Sequence, residues 1–476
     1  MTGEPEPTLD EIASLLQVEH LLDQRWPETK LEPGTARIAA LMEMLGSPQL
    51  GYPSIHIAGT NGKTSVARMV DALLSAFSRR TGRTTSPHLQ SAVERIAIDG
   101  RPVSPATYVD TYRELEPYID MVDQQSLTSG GPRLSKFEVV TAMAFAAFAD
   151  APIDVAVVEV GLGGRWDATN IVNAPVAVIT PIGIDHVAYL GETVAEIAAE
   201  KAGIITSHDA VEADAGTVAV IGRQPPQAME VLLAQAVRAD AAVAREDSEF
   251  GVLARAVAVG GQLLELQGLG GVYREVFLPL HGEHQAHNAA VALAAVEAFF
   301  GAGAHRQLDI DTVRAGFASV VAPGRLERIR SAPSIFIDAA HNPAGAAALA
   351  RTLADEFDFR FLVGVVSVMA DKDVDGILAA LEPVLDQVIV TQNGSPRALE
   401  VEALRVKAEN RFGPERVIAA AVLPDAIETA TALVEDAGND AEVGLSAAGM
   451  GGVGVVITGS VVTAGAARTL FGKDPA

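Results

Sequence analysis

Eight residues between an apolar run and an amphipathic one, Ala58-Gly59-Thr60-Asn61-Gly62-Lys63-Thr64-Ser65, could cradle phosphate. Small residues let backbone N–H groups approach phosphate oxygens, and a following helix adds the positive end of its dipole. Lys63 supplies a charge for the outer phosphates, and Thr64 or Ser65 a hydroxyl for Mg²⁺. The strict pattern G-x-x-x-x-G-K-[ST] fails because position 57 is Ile57, so an ordinary glycine-rich turn is the plain alternative. A second cluster, Glu159-Val160-Gly161-Leu162-Gly163-Gly164-Arg165-Trp166-Asp167-Ala168-Thr169-Asn170, begins where an apolar strand ends. In open α/β sheets ligands bind beyond the carboxyl ends of the strands, so Glu159 there is a natural metal ligand or, equally, a capping or ion-paired residue.

Ile182-Gly183-Ile184-Asp185-His186 also follows an apolar strand, and His186 could bind a metal through neutral imidazole or serve only structure. Ala199-Glu200-Lys201-Ala202-Gly203 places a lysine near a helix end, where the dipole alone explains it. Two polar islands remain: Gly282-Glu283-His284-Gln285-Ala286-His287-Asn288 before a helix, and Asp338-Ala339-Ala340-His341-Asn342-Pro343 after a strand. Arg325, beside Pro323-Gly324, could stabilise a transferring phosphate or pair with a carboxylate across an interface.

The elements that must hold these groups are legible as patterns. Thr8-x-x-Glu11 is a capping box opening a helix with Ile12, Leu15, Leu16 and Leu22 as its apolar face. Ser54–Ala58, Val155–Val160 and Val176–Thr180 read as parallel strands covered on both faces. Helices are expected over Thr35–Leu45, after Lys63, and over Phe137–Ala149, Ala195–Ala202, Pro226–Arg238 and Ala286–Phe300. Gly-Gly pairs between short alternating runs predict β-hairpins over about 246–280. Ala322-Pro323-Gly324 marks a boundary. Beyond it, Ile335–Asp338, Phe361–Val366, Gln387–Val390, Arg416–Ala419 and Val453–Thr458 alternate with helical stretches. The expected fold is α/β: an N-terminal phosphate-loop domain over 1–320 with a mostly parallel sheet, then a smaller Rossmann-like domain over 321–476.

Composition narrows the function. The 476 residues suit two to three domains at ~150 residues each. A 49% apolar share excludes a largely disordered chain, and a net charge of −26 argues against nucleic-acid binding. With no cysteine there is no disulfide, thiolate nucleophile or Cys-based metal site, as suits a reducing compartment. The start of the chain shows no export signal. The uncharged stretch Val443–Ala467 is broken by glycines and reads as loop, buried strand and helix start rather than a membrane span. The acidic stretch 207–216 reads as a solvated loop.

Together the motifs resemble the folylpolyglutamate synthase/dihydrofolate synthase branch of the Mur ligase superfamily. The resemblance rests on GTNGKTS at 59–65, SPHL at 86–89, ERI at 94–96, SKFE at 135–138 with Thr141, and EVGLGGRWDATN at 159–170. It continues through IGIDH at 182–186, EKAGI at 200–204, GEHQ…N at 282–288, PGRLE at 323–327 and DAAHNP at 338–343. The phosphate loop is common to Mur-type ligases, whereas SPHL, the GLGGRWDATN run and DAAHNP point to the folate branch. Two departures stand out: Thr64 where many folate ligases have glycine, and Trp166 where smaller apolar residues are common.

The resemblance implies that Asn61, Gly62, Lys63, Thr64 and Ser65 hold ATP phosphates, with Asn288, Arg325 and Asp338 also on ATP. It implies two Mg²⁺ sites, with Ser86, Glu159 and His186 as ligands, and a CO₂-derived carbamate on Lys201. Ser86–Leu89, then Ser135, Lys136, Phe137 and Glu138, and Trp166, Asp167 and Ala168, would border the pterin. His341 would lie near the γ-phosphate and the incoming glutamate; Lys372 and Arg397 are candidate partners for the glutamate carboxylates. Lys63, Lys201, His341 and Arg325 would be the catalytic set. The implied reaction joins L-glutamate to tetrahydrofolate through an acyl phosphate, and in a bifunctional enzyme also to dihydropteroate. The implied partners are small molecules, with no nucleic acid and no membrane, for a cytoplasmic monomer. A cell-wall Mur ligase is disfavoured because only about fifty residues precede the loop, fewer than a ~100-residue nucleotide-sugar domain needs. A phosphate-loop switch would not need the Arg325 and Asp338–Asn342 clusters.

Overall fold

In the computed structural model, which describes residues 7–25, 32–207, 216–303, 306–443 and 452–476, the unbroken apolar runs become strands buried on both faces. The acidic stretch at 207–216 falls outside the described residues except at its two ends. The first sheet contains β1 (Ser54–Ala58), β2 (Thr81–Thr84), β3 (Ile96–Ile98), β4 (Arg101–Pro102), β5 (Val155–Glu159), β6 (Val176–Ile179), β7 (Val218–Ile221) and β8 (Ala242–Arg245). Their order is β4-β3-β2-β5-β1-β6-β7-β8; β3 and β4 run antiparallel at one edge, and the other six are parallel.

Strand alternation splits β5 between two cores. Val155 and Val157 pack with the helices Lys63–Ala76 and Glu283–Phe299, while Ala156 and Val158 pack with the helices Pro105–Thr128 and Lys136–Asp150. Burying each such Val is worth roughly 1.5–3 kcal/mol. The expected hairpins are a three-stranded antiparallel sheet of β9 (Gly251–Ala258), β10 (Gly261–Gln267) and β11 (Val272–Leu278).

A third sheet contains β12 (Glu327–Ser331), β13 (Ser334–Ile337), β14 (Phe359–Val366), β15 (Gln387–Val390), β16 (Val417–Ala419) and β17 (Gly452–Thr458). Its order, β12-β13-β17-β14-β15-β16, is parallel apart from the edge strand β12. The uncharged stretch resolves as expected where it is described: Gly452–Thr458 is a buried strand and Val461–Leu470 a helix. Among the described residues no helix is long and apolar enough to cross a membrane.

The first helix, Leu9–Asp23, has its capping box: Glu11 N–H donates to Thr8 Oγ1, and Thr8 N–H donates back to Glu11. Its buried face is Leu15, Val18 and Leu22; Ile12 and Leu16 are exposed, contrary to the periodicity reading. The halves of the molecule touch closely at Gly465, where a Cβ would lie 1.8 Å from the Leu89 carbonyl oxygen. Nearby, Arg468 Nε donates to Gln90 Oε1 at 2.8 Å. Gly465→Ala is expected to cost about 2 kcal/mol through overpacking, read as a lower thermal midpoint. An unchanged midpoint would show that the contact is loose.

Candidate active site

The register of the first sheet builds the site. Ile57 on β1 lies opposite Glu159 on β5, and Ala58 opposite Ile179 on β6, so the 59–65 loop leaves the sheet beside Glu159. Gly62 caps the next helix at φ +91°, and a Cβ there would come within 2.6 Å of Asn288 Oδ1, so only glycine fits. Lys63 opens the helix, and its Nζ folds back to the Gly59 and Thr60 carbonyls at 3.1 and 3.3 Å. Thr64 Oγ1 donates to the Glu159 carboxylate at 3.0 Å, whereas Ser65 Oγ accepts from Gln285 Nε2. The sequence left open whether Thr64 or Ser65 would offer its hydroxyl to Mg²⁺; the fold turns Thr64 to Glu159.

These groups line a cavity of about 380 Å³ that also takes in Asn61, Asn288, Arg325, Asp338 and His341. Asp338 is engaged with its own turn, accepting from the Leu326 and Ala340 N–H groups at 2.8 Å each. Arg325 enters the cavity with no carboxylate partner among the described residues. His341 Nδ1 lies 3.0 Å from the Ala339 carbonyl, which can only accept, so Nδ1 carries the proton and Nε2 keeps its lone pair. Burial lowers the His341 pKa, which keeps the ring neutral near pH 7.

The donor chemistry around Glu159 fits a hard dication. The carboxylate is buried, and burial raises its pKa against the pull of Lys63 and the Thr64 hydroxyl. The Ser86 backbone N–H also reaches it, so the 86–89 loop sits directly on the acid. Carboxylate and hydroxyl oxygens with room for water suit Mg²⁺, which keeps several waters in most sites. His186 lines the same cavity but stands 42% exposed, at φ 52°. Among the described residues no three His, Asp or Glu side chains form a cluster that could hold a metal ion. Lys201 is 4% exposed, and its Nζ donates to the Gly59 carbonyl at 2.8 Å. Burial, helped by the charge of Lys63, lowers its pKa to about 7, leaving a substantial fraction of the neutral amine that reacts with CO₂.

A second cavity of about 870 Å³ adjoins the first and shares Ser86, Gly161, Leu162, Asp185, His186 and Ala344 with it. Phe137, Trp166 and Ala168 give it apolar surface. Ser135 and Glu138 also line it, but their polar atoms are committed to a capping box, and Glu138 pairs with Arg37 at 3.1 Å. Asp167 is buried and accepts from Leu162 N–H, Thr169 N–H and Thr169 Oγ1, which fixes the Gly-rich turn. Lys136 departs from expectation: it lines neither cavity, because it starts its helix facing away and pairs with Asp23 at 2.6 Å.

Two contacts that sequence spacing did not reveal join the halves at the shared wall. Asn342 Nδ2 donates to Asn61 Oδ1 at 3.0 Å, and Lys372 pairs with Asp185 at 2.9 Å. Burial works to raise the Asp185 pKa, but His186 and Lys372 together bring it down to about 2. Within the first half, Arg37 was missed as well, since its only signal is a partner 101 residues away. Asp185 and Asn342 lay inside quoted motifs, yet nothing local marked them as bridging residues.

Residues 131–296 match the Mur ligase middle domain, and residues 324–447 match the Mur ligase glutamate ligase domain. The dihydrofolate synthase/folylpolyglutamate synthase of Mycobacterium tuberculosis is 74% identical over 472 residues, covering 98% of this chain and 96% of that protein. The solved structure of Mycobacterium tuberculosis folylpolyglutamate synthase complexed with ADP superposes with a TM-score of 0.92 at 72% identity, over 98% of this chain and 100% of that one. Escherichia coli FolC in complex with DHPP and ADP does so at 0.79 and 27% identity, over 96% and 97%. Motifs, fold and relatives agree, and the chain belongs to the Mur ligase family, in its folylpolyglutamate synthase/dihydrofolate synthase branch.

Proposed function

We propose that the chain joins L-glutamate to the terminal carboxylate of tetrahydrofolate, with ATP converted to ADP and phosphate, and that the same site acts on dihydropteroate. The observation that carries this is the pair of adjoining cavities: one built on the 59–65 loop, one walled by Phe137 and Trp166, meeting at Ser86 and His186. A phosphoryl donor in the first can thereby reach a carboxylate extending from the second. That the Mycobacterium tuberculosis relative was solved with ADP, and the Escherichia coli one with DHPP and ADP, supports the reading. Residues 1–320 and 321–476 would act as two units, with the ATP held between them.

A carboxylate is a poor electrophile, and an amine cannot expel oxide from it. Transfer of the γ-phosphoryl group to a carboxylate oxygen, with ADP leaving, makes an acyl phosphate. Lys63 turns from the Gly59 and Thr60 carbonyls to the phosphates, and Arg325 supplies a second charge from the other half. Glu159, Thr64 and Ser86 would hold one Mg²⁺, and Lys201, once carbamylated, would offer oxygens toward a second. Bound there, Mg²⁺ neutralises phosphate charge. The α-amine of glutamate then attacks the acyl carbon, phosphate leaves, and an amide remains. The free Nε2 of neutral His341 can take the proton that the amine gives up. Closure across the Asn342–Asn61 contact keeps water from the acyl phosphate.

The test is phosphate release from ATP with Mg²⁺, glutamate and either tetrahydrofolate or dihydropteroate, with mass spectrometry of the pterin. A gain of one glutamyl unit on both acceptors is the expected result. ATP hydrolysis with neither acceptor changed would overturn the reading.

A further inference from the structure

Eight lysines and arginines line the two cavities. Four have a carboxylate within ion-pair distance: Arg223 with Asp247, Arg37 with Glu138, Lys372 with Asp185 and Arg397 with Asp371. The other four, Lys63, Lys201, Arg325 and Arg133, have none among the described residues. Three of these stand at the phosphate end, where an anion is needed. Arg133 stands apart, in the second cavity beside Pro132 and Ser135. The chain has 61 acidic and 35 basic residues, yet no carboxylate among the described residues pairs with Arg133.

The backbone around Arg133 is held on both sides. Ser126 Oγ donates to the Pro132 carbonyl at 2.6 Å. Leu134 N–H donates to Asp123 at 2.7 Å, and Arg25, itself paired with Asp123, reaches the Leu134 carbonyl at 3.3 Å. A fixed backbone thus presents an exposed guanidinium with no ion-pair partner among the described residues.

We propose, resting on the function above, that Arg133 binds the α-carboxylates of γ-linked glutamates already present on the acceptor. Each reaction fixes the terminal carboxylate of the acceptor at the phosphate end. Every residue previously added therefore shifts the rest of the acceptor outward by one unit. With a longer tail, internal α-carboxylates replace the neutral ring system along the part of the cavity that Arg133 overlooks. Glutamate tails carry one such anion per unit, so the contribution of Arg133 grows with tail length, while an acceptor with no glutamate has no internal anion to offer.

The experiment measures KM and kcat of wild type, Arg133→Ala and Arg133→Lys on dihydropteroate and on tetrahydrofolate bearing one or three glutamates. For Arg133→Ala, KM for the triglutamate is expected to rise about fivefold, the size of a solvent-exposed ion pair. The rise for dihydropteroate is expected to stay under about twofold, with kcat held and Arg133→Lys recovering part of the loss. Equal KM changes on all acceptors, or none on any, would overturn the proposal. Wild type inactive on every acceptor would instead overturn the assigned function, so the two failures are distinct.

Discussion

Lys63→Ala lowers kcat/KM for ATP by about three orders of magnitude, the expected result when a cation aimed at developing phosphate charge is removed. The fold makes the loss specific. Lys63 Nζ is hydrogen-bonded to the carbonyls of its own loop, Gly59 and Thr60, and among the described residues forms no ion pair, although its charge acts on buried Glu159, which the Thr64 hydroxyl and Ser86 N–H still satisfy in its absence. Structure and thermal midpoint should therefore hold while phosphate release vanishes. Turnover within tenfold of wild type would mean that Arg325 carries the phosphate charge alone.

Lys201→Ala is expected to lose about a hundredfold in turnover, as when a group supporting a metal site is removed, and to regain part of it with acetate or formate. A short carboxylate can occupy the space left by the side chain and offer the oxygens that a carbamate would. Lys201→Arg should not be rescued, because a guanidinium neither reacts with CO₂ nor leaves room. A carbonyl signal from ¹³C-labelled bicarbonate on the wild type, absent in both variants, would report the modification without activity. Full activity of Lys201→Ala in the absence of any additive would remove the carbamate from the mechanism.

The parts of this site visible in the sequence were those whose chemistry is local. Unbroken runs such as Val155–Val160 announced parallel strands, and Lys63 and Glu159 followed because both lie at strand carboxyl ends. Strand β2 was hidden for the opposite reason. Its sequence is Thr-Gly-Arg-Thr, polar or small throughout, yet all four residues are buried. The explanation lies on the phosphate-loop helix, where Asp71 receives Thr81 Oγ1 and Arg83 Nε at 2.5 and 2.8 Å. No periodicity rule registers such a pairing. Lys136 was misjudged in the same way: its motif ran through the cavity wall, but Asp23 on the first helix turned the side chain outward.

The contact of Gly465 with Leu89 has a consequence for the order in which the molecule is made. The loop at 86–90 carries a wall of both cavities, yet it is held by a helix some 378 residues later in the chain, counted from Gln90 to Arg468. At ~5–20 residues per second, a nascent chain holds the phosphate loop for roughly twenty seconds to over a minute before that helix emerges. Until then the loop is held only by nearer partners such as Glu94, which accepts from the Leu89 and Gln90 N–H groups. A ribosome paused just before that helix carries a polypeptide whose 86–90 loop still lacks its Gly465 and Arg468 contacts.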